Sequence, residues 1–144
     1  MTPSPLWLLL LPWSGTLLAV RRDLRTRTIP RGIMALAPLG WLVTGAWRTP
    51  EGIVAPLVLF GVLFTVWRMG GMGGGDVKLW LSIFAWTPGP AMWMGLAVAG
   101  GVLVATGAGQ MLYRRRKGLP LRGRPTPAAW RVLGYLAYLT WVWT

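Results

Sequence analysis

Six apolar runs, each closed off by charge, proline or glycine, constrain this chain more than any other feature: about Leu6 to Val20, Ile33 to Trp47, Ile53 to Trp67, Val77 to Thr87, Ala91 to Tyr113, and Ala128 to Trp143. Only 12% of the residues are charged, about half the share of an ordinary soluble domain, so little polar sequence is left to cover a soluble core. The expected fold is all-α, a single polytopic domain over residues 1–144 with six transmembrane helices. A helix needs roughly 20 residues to cross an average bilayer. The shorter runs, the fourth above all, must therefore recruit flanking residues or thin the membrane around them.

The basic residues test this division independently of hydropathy, because Lys and Arg accumulate in cytoplasmic connections. If the six runs alternate across a membrane, the first connection holds Arg21, Arg22, Arg25, Arg27 and Arg31, and the third holds Arg68 and Lys78. The fifth holds Arg114, Arg115, Arg116, Lys117, Arg122, Arg124 and Arg131. Only Arg48, beside Glu51, falls on the other side. A miscount of one span would scramble this segregation, so the pattern predicts six spans with both termini outside the cytoplasm.

The net charge of +12 does not point to nucleic acid, because the cations sit in short clusters between apolar runs, where they hold topology and meet anionic phospholipid. Cysteine and histidine are both absent, which excludes disulfides, thiolate nucleophiles, Ser-His and Cys-His catalysis and metal sites built on those ligands. Met1 to Pro5 has no basic residue and the first run ends in Arg21 and Arg22. That run is expected to be a retained span rather than a cleaved signal.

Three acids remain: Asp23, Glu51 and Asp76. Glu51 belongs to the opposite membrane side. Asp23 closes the first run and Asp76 opens the fourth, so both stand at one depth, near the cytoplasmic boundary. Asp23 lies among arginines and could simply neutralise them. Asp76 follows Met69-Gly-Gly-Met-Gly-Gly-Gly75 and precedes an apolar run; an acid at a membrane entry is costly and is usually functional or paired. Gly73 and Gly75 leave the backbone beside it open to close approach. Lys78, two positions on, projects away from the face that Asp76 occupies, and either snorkels to the headgroups or supports the loop or substrate.

Two carboxylates suffice for peptide hydrolysis without metal or cofactor: one, ionised, takes a proton from water while the other, protonated, donates to the scissile carbonyl. Like charges at close range resist double ionisation, so one proton is shared by the pair. The division of roles between Asp23 and Asp76 stays open at this stage.

The stretch Asp23-Leu-Arg-Thr-Arg-Thr-Ile-Pro30 resembles the first aspartate motif of the type IV prepilin peptidase family, especially its short pilus-assembly members and the related archaeal preflagellin peptidases. Gly73-Gly-Gly-Asp-Val-Lys-Leu79 is similar to that family's Gly-x-Gly-Asp-x-Lys signature. The resemblance implies an aspartic-type endopeptidase of the cytoplasmic (inner) membrane that removes the leader of type IV prepilin-like precursors, cutting after a glycine just before their hydrophobic segment. It implies Asp23 and Asp76 as the catalytic acids, with Gly73, Gly75 and Lys78 supporting the loop or the substrate. Arg31 stands where the family often has Asn, and the extension with paired cysteines found in bifunctional members is missing, so leader removal is expected without N-methylation.

A basic leader meets a face already rich in arginine, so recognition is expected to rest on an apolar groove for the precursor's hydrophobic helix. Two other readings fit part of the pattern. A presenilin-like protease shares Gly-x-Gly-Asp but keeps its partner acid within an apolar span, whereas Asp23 borders an arginine cluster. A non-enzymatic membrane assembly or transport subunit would use both acids only to neutralise arginines.

Overall fold

A computed structural model describes residues 6–26, 28–69, 72–120 and 131–144. Among these residues the chain is helical and contains no strand, and its α-helices are α1 (Leu10–Thr26), α2 (Leu36–Thr44), α3 (Pro50–Arg68), α4 (Gly74–Phe84), α5 (Met92–Arg116) and α6 (Val132–Trp143). Each coincides with one of the six apolar runs. Short 3₁₀ turns at Leu6–Leu9, Arg31–Ala35, Ala46–Arg48 and Gly89–Ala91 lead into or join them. Arg27, Gly70, Gly71, the stretch with Arg122 and Arg124, and the first residues of the sixth run lie outside the described residues.

Local chemistry explains the boundaries. Thr49 caps α3, its hydroxyl accepting the Gly52 N–H at 3.2 Å, and Pro50 fills the first helical position, where no amide is needed. The long α5 ends on Arg114, Arg115 and Arg116, cations that suit the negative end of a helix. Gly118, at φ 64°, then closes it: the Leu119 N–H donates to the Arg114 carbonyl at 2.9 Å and the Gly118 N–H to that of Arg115 at 3.3 Å. Helix α1 continues six residues beyond the first apolar run, because arginine is a good helix former. Asp23 therefore sits in the last turns of a helix rather than in a loop.

Helices of two kinds result. Pro50–Arg68 and Gly89–Arg116 are long and apolar enough to cross a membrane; Arg31–Thr44 and Val132–Trp143 are apolar but shorter. The exterior is apolar, with Leu10, Leu57, Val104 and Trp141 each at least 65% exposed, far more than a water-soluble monomer usually displays. Helix α4 has the opposite character. Asp76, Val77, Leu79, Trp80, Ser82, Ile83 and Phe84 are all buried, and α1, α2, α3 and α6 pack around it. An 11-residue helix enclosed by its neighbours has no need of the length that a lipid-facing helix requires.

Helices α4 and α6 face each other through aromatic side chains. The Trp80 and Tyr135 ring centroids are 5.9 Å apart and those of Phe84 and Tyr135 5.8 Å, within the range of favourable edge and tilted contacts. The Tyr135 hydroxyl shares a 2.6 Å hydrogen bond with Thr87 and lies where a side chain at Gly95 would be. At the same end of the bundle the Trp13 indole N–H donates to Thr140 at 2.9 Å, which ties α1 to α6.

Candidate active site

The site is built where the end of α1 meets the start of α4. Asp76 is the third residue of α4 and its Oδ2 accepts the N–H of Gly73, the residue just before the helix, at 3.2 Å. The Asp76 and Val77 N–H groups donate back to the Gly73 carbonyl at 3.1 and 3.4 Å. This is the half of a capping box that runs from the acid to the backbone; Gly73 has no side chain to complete the other half. A negative charge also suits the positive end of a helix. Asp76 is nevertheless only 6% exposed, and its second oxygen, Oδ1, has no hydrogen-bond partner among the described residues.

Asp23 is 7% exposed, while Arg21, Arg22 and Arg25 around it all face outward. Of this charged segment of α1, the acid is the residue turned inward. Its position near the C-terminal end of a helix is the unfavourable one for a carboxylate. The charge of Asp23 reaches the second acid. Asp76, which precedes the apolar part of α4, has its carboxyl pushed up to about 6, first by burial and then by the Asp23 charge, against the Gly73 N–H and the Arg131 cation, which pull it down.

The two sequence motifs meet as packing partners. A methyl group on Gly75 would fall 3.1 Å from Cβ of Ile29 and 3.2 and 3.3 Å from its Cδ1 and Cγ1. The glycine before Asp76 thus lets the Ile29-Pro30 segment close on the first turn of α4. Gly73 has φ −78° and ψ 155°, extended values open to any residue, and contributes its N–H. Lys78 is exposed, turned about 200° from Asp76 on the helix.

Arg131 was counted in the sequence only as a topology residue. It is 3% exposed; its Nη2 donates to Oε1 of Gln110, near the end of α5, and its Nε–H has no partner among the described residues. One turn ahead of Tyr135, it stands opposite Asp76, which is one turn ahead of Trp80. In the sequence Arg131 stands inside the sixth apolar run, three positions from its start. An apolar cleft of about 420 Å³ opens elsewhere, lined among others by Met34, Trp41, Leu57, Leu81 and Ala85. Leu81 and Ala85 lie on the face of α4 turned away from Asp76, so the cleft does not open onto the acids.

Two buried carboxylates that share an interior with one cation can retain a single proton between them, which is the arrangement that acid–base hydrolysis of an amide requires. Comparison with protein families gives the same direction. The family model described as the type IV leader peptidase family matches residues 8–109, most of the chain, and the chain belongs to that family. No curated protein and no solved structure matches it.

Proposed function

We propose, with membership of the type IV leader peptidase family as the premise, that this chain is an aspartic endopeptidase whose catalytic pair is Asp23 and Asp76. Its substrates are type IV prepilin-like precursors, cut at the cytoplasmic face of the inner membrane. The observation that carries this reading is that Asp23 and Asp76 are the buried acids of a chain with three acids in all, and that the Asp23 charge acts on the Asp76 carboxyl.

Asp76, whose carboxyl is raised first by burial and then by the Asp23 charge, is taken as the protonated partner. Asp23 then takes a proton from the attacking water while Asp76 protonates the carbonyl oxygen, giving a neutral tetrahedral diol. Return of the Asp23 proton to the leaving nitrogen, with reprotonation of Asp76 from the diol, breaks the C–N bond and restores the starting state. Gly73 orients Asp76 through its N–H, Gly75 lets the Ile29-Pro30 segment support the site, and Lys78 reaches outward to substrate or headgroups. The six apolar runs are read as spans, with both termini outside the cytoplasm, Asp76 at the entry of the fourth, and the arginine-rich face on anionic phospholipid.

The test is cleavage of a purified precursor by the enzyme in lipid nanodiscs, with products mapped by mass spectrometry. Asp23→Asn and Asp76→Asn should each lower the rate by roughly 10²–10⁴-fold, the usual contribution of a positioned acid or base, in protein that remains folded. Full activity in either variant removes the proposed pair and favours a scaffold role. Cuts within the precursor's hydrophobic segment would instead indicate a presenilin-like activity.

A further inference from the structure

We propose that Arg131 is a positioning residue of the aspartate pair: a buried guanidinium, clamped by Gln110, that keeps the singly protonated pair electrically neutral. The inference rests on the reading of Asp23 and Asp76 as the catalytic acids; Gln110 and Arg131 themselves lie beyond the matched residues 8–109.

A guanidinium cannot escape burial by giving up its proton. A buried cation must therefore be offset by an anion, or its desolvation is ruinous. Arg131 is 3% exposed. Gln110 supplies an oxygen to Nη2 but no charge. The buried acids among the described residues are Asp23 and Asp76, and the Arg131 charge is felt at Asp76. The register of the helices explains why. Asp76 and Trp80 stand one turn apart on α4, Arg131 and Tyr135 one turn apart on α6, and Trp80 meets Tyr135 at 5.9 Å, which sets Arg131 at the level of Asp76.

The Trp80 indole N–H, one turn from Asp76, has no partner among the described residues; the remaining polar groups near this point are these. Asp23 comes from α1, Gln110 from α5, and the Gly73 N–H from the residue before α4. The Tyr135 hydroxyl is taken by Thr87. Arg25, Arg68 and Lys78 are exposed. With one proton on the pair, the carboxyls carry a single negative charge and Arg131 cancels it. Without Arg131 the same interior holds an uncompensated anion, and both protons are held more tightly. Removal of the cation therefore raises both macroscopic titrations of the pair, not one residue's alone.

The readout is the pH dependence of kcat/KM for precursor cleavage in nanodiscs, which reports the free enzyme. Arg131→Met should move both limbs to higher pH by about one unit, the low end of what a neighbouring cation does, while Arg131→Lys should leave them near the wild-type positions. Gln110→Glu keeps shape and leaves Arg131 in place, but adds an anion beside it; it should move the limbs the same way. Limbs that stay in place in Arg131→Met while the maximum falls would show a merely structural side chain and overturn the proposal. If Arg131→Met does not fold, unmoved limbs in Gln110→Glu overturn it equally. Asp76→Asn separates the two claims: if it cleaves, the catalytic pair itself is wrong; if it is inactive while the limbs of the Arg131 and Gln110 variants stay fixed, only this inference falls.

Discussion

The contact between Gly75 and Ile29 joins the two aspartate motifs, and Gly75→Ala tests whether that contact positions Asp76. The new methyl would lie 3.1–3.3 Å from three carbons of Ile29, where ordinary contact needs several tenths of an ångström more. Cδ1 of Ile29 can rotate away, but Cβ is fixed to the backbone, so either the Ile29-Pro30 segment or the first turn of α4 must retreat. Alanine also gains about 1 kcal/mol over glycine inside a helix, and overpacking of this kind costs about 1–3 kcal/mol. The net stability change should be small, between about zero and 2 kcal/mol of destabilisation.

Activity is the more sensitive measure, because Asp76 is the next residue. If a displacement of about 1 Å costs roughly 100-fold in rate, a shift of a few tenths should lower kcat/KM by roughly five- to tenfold. The assay is a double-mutant cycle in the precursor-cleavage reaction. Ile29→Ala removes Cγ1 and Cδ1, so the Gly75→Ala penalty should shrink to about half or less of its logarithm in that background, a coupling expected of residues in contact. Additive effects of the two substitutions would refute the claim that the glycine serves this packing.

Three other outcomes follow from the structure. Asp76→Asn should stabilise the protein at neutral pH while it abolishes cleavage. Between the ordinary carboxyl value of 3.8 and about 6, the unfolded chain ionises while the folded chain keeps its proton, so folded-state stability declines as pH rises through that window. At about 1.4 kcal/mol per pH unit the ceiling is about 3 kcal/mol; thermal unfolding of wild type and variant should diverge above pH 6 and converge near pH 4. Tyr135→Phe leaves the buried Thr87 hydroxyl without its 2.6 Å partner and should cost about 1–3 kcal/mol, read as a lower melting temperature in detergent. Because the chain has no cysteine, single substitutions report topology directly: Gly118→Cys should label from the cytoplasmic side and Thr144→Cys from the other, and the reverse result would invert the proposed orientation.

The sequence was most legible where one physical pressure acts alone. Apolar runs must be helical wherever they meet lipid, since every backbone group has to be satisfied internally, so the six helices could be drawn before their packing was known. The length of α4 was harder to interpret. Hydropathy cannot distinguish a short helix stretched across a membrane from one enclosed by its neighbours, and the burial of Leu79, Trp80, Ile83 and Phe84 is a tertiary fact. Asp23 was ambiguous for a related reason: four arginines within four residues of it make neutralisation the simplest local account, and only the inward turn of that helical face singles out the acid.

Arg131 shows where reasoning from charge position stops. In a membrane chain, one arginine can anchor topology at a helix end, snorkel to headgroups, or turn inward and become part of a site, and the three have the same sequence signature. The choice depends on whether a partner exists inside. Here the interior offers two acids and the oxygen of Gln110, the one amide side chain in the sequence, and α6 enters at the depth of Asp76. A cation that neutralised a fully ionised pair would leave one negative charge over; a cation facing a fully protonated pair would itself be uncompensated. The neutral combination is the one with a single proton, which is also the one that the proposed hydrolysis requires. The same rarity of charge that marked the two aspartates therefore bears on the arginine opposite them: in an interior this poor in ions, the state that minimises buried charge and the state that the proposed chemistry requires coincide.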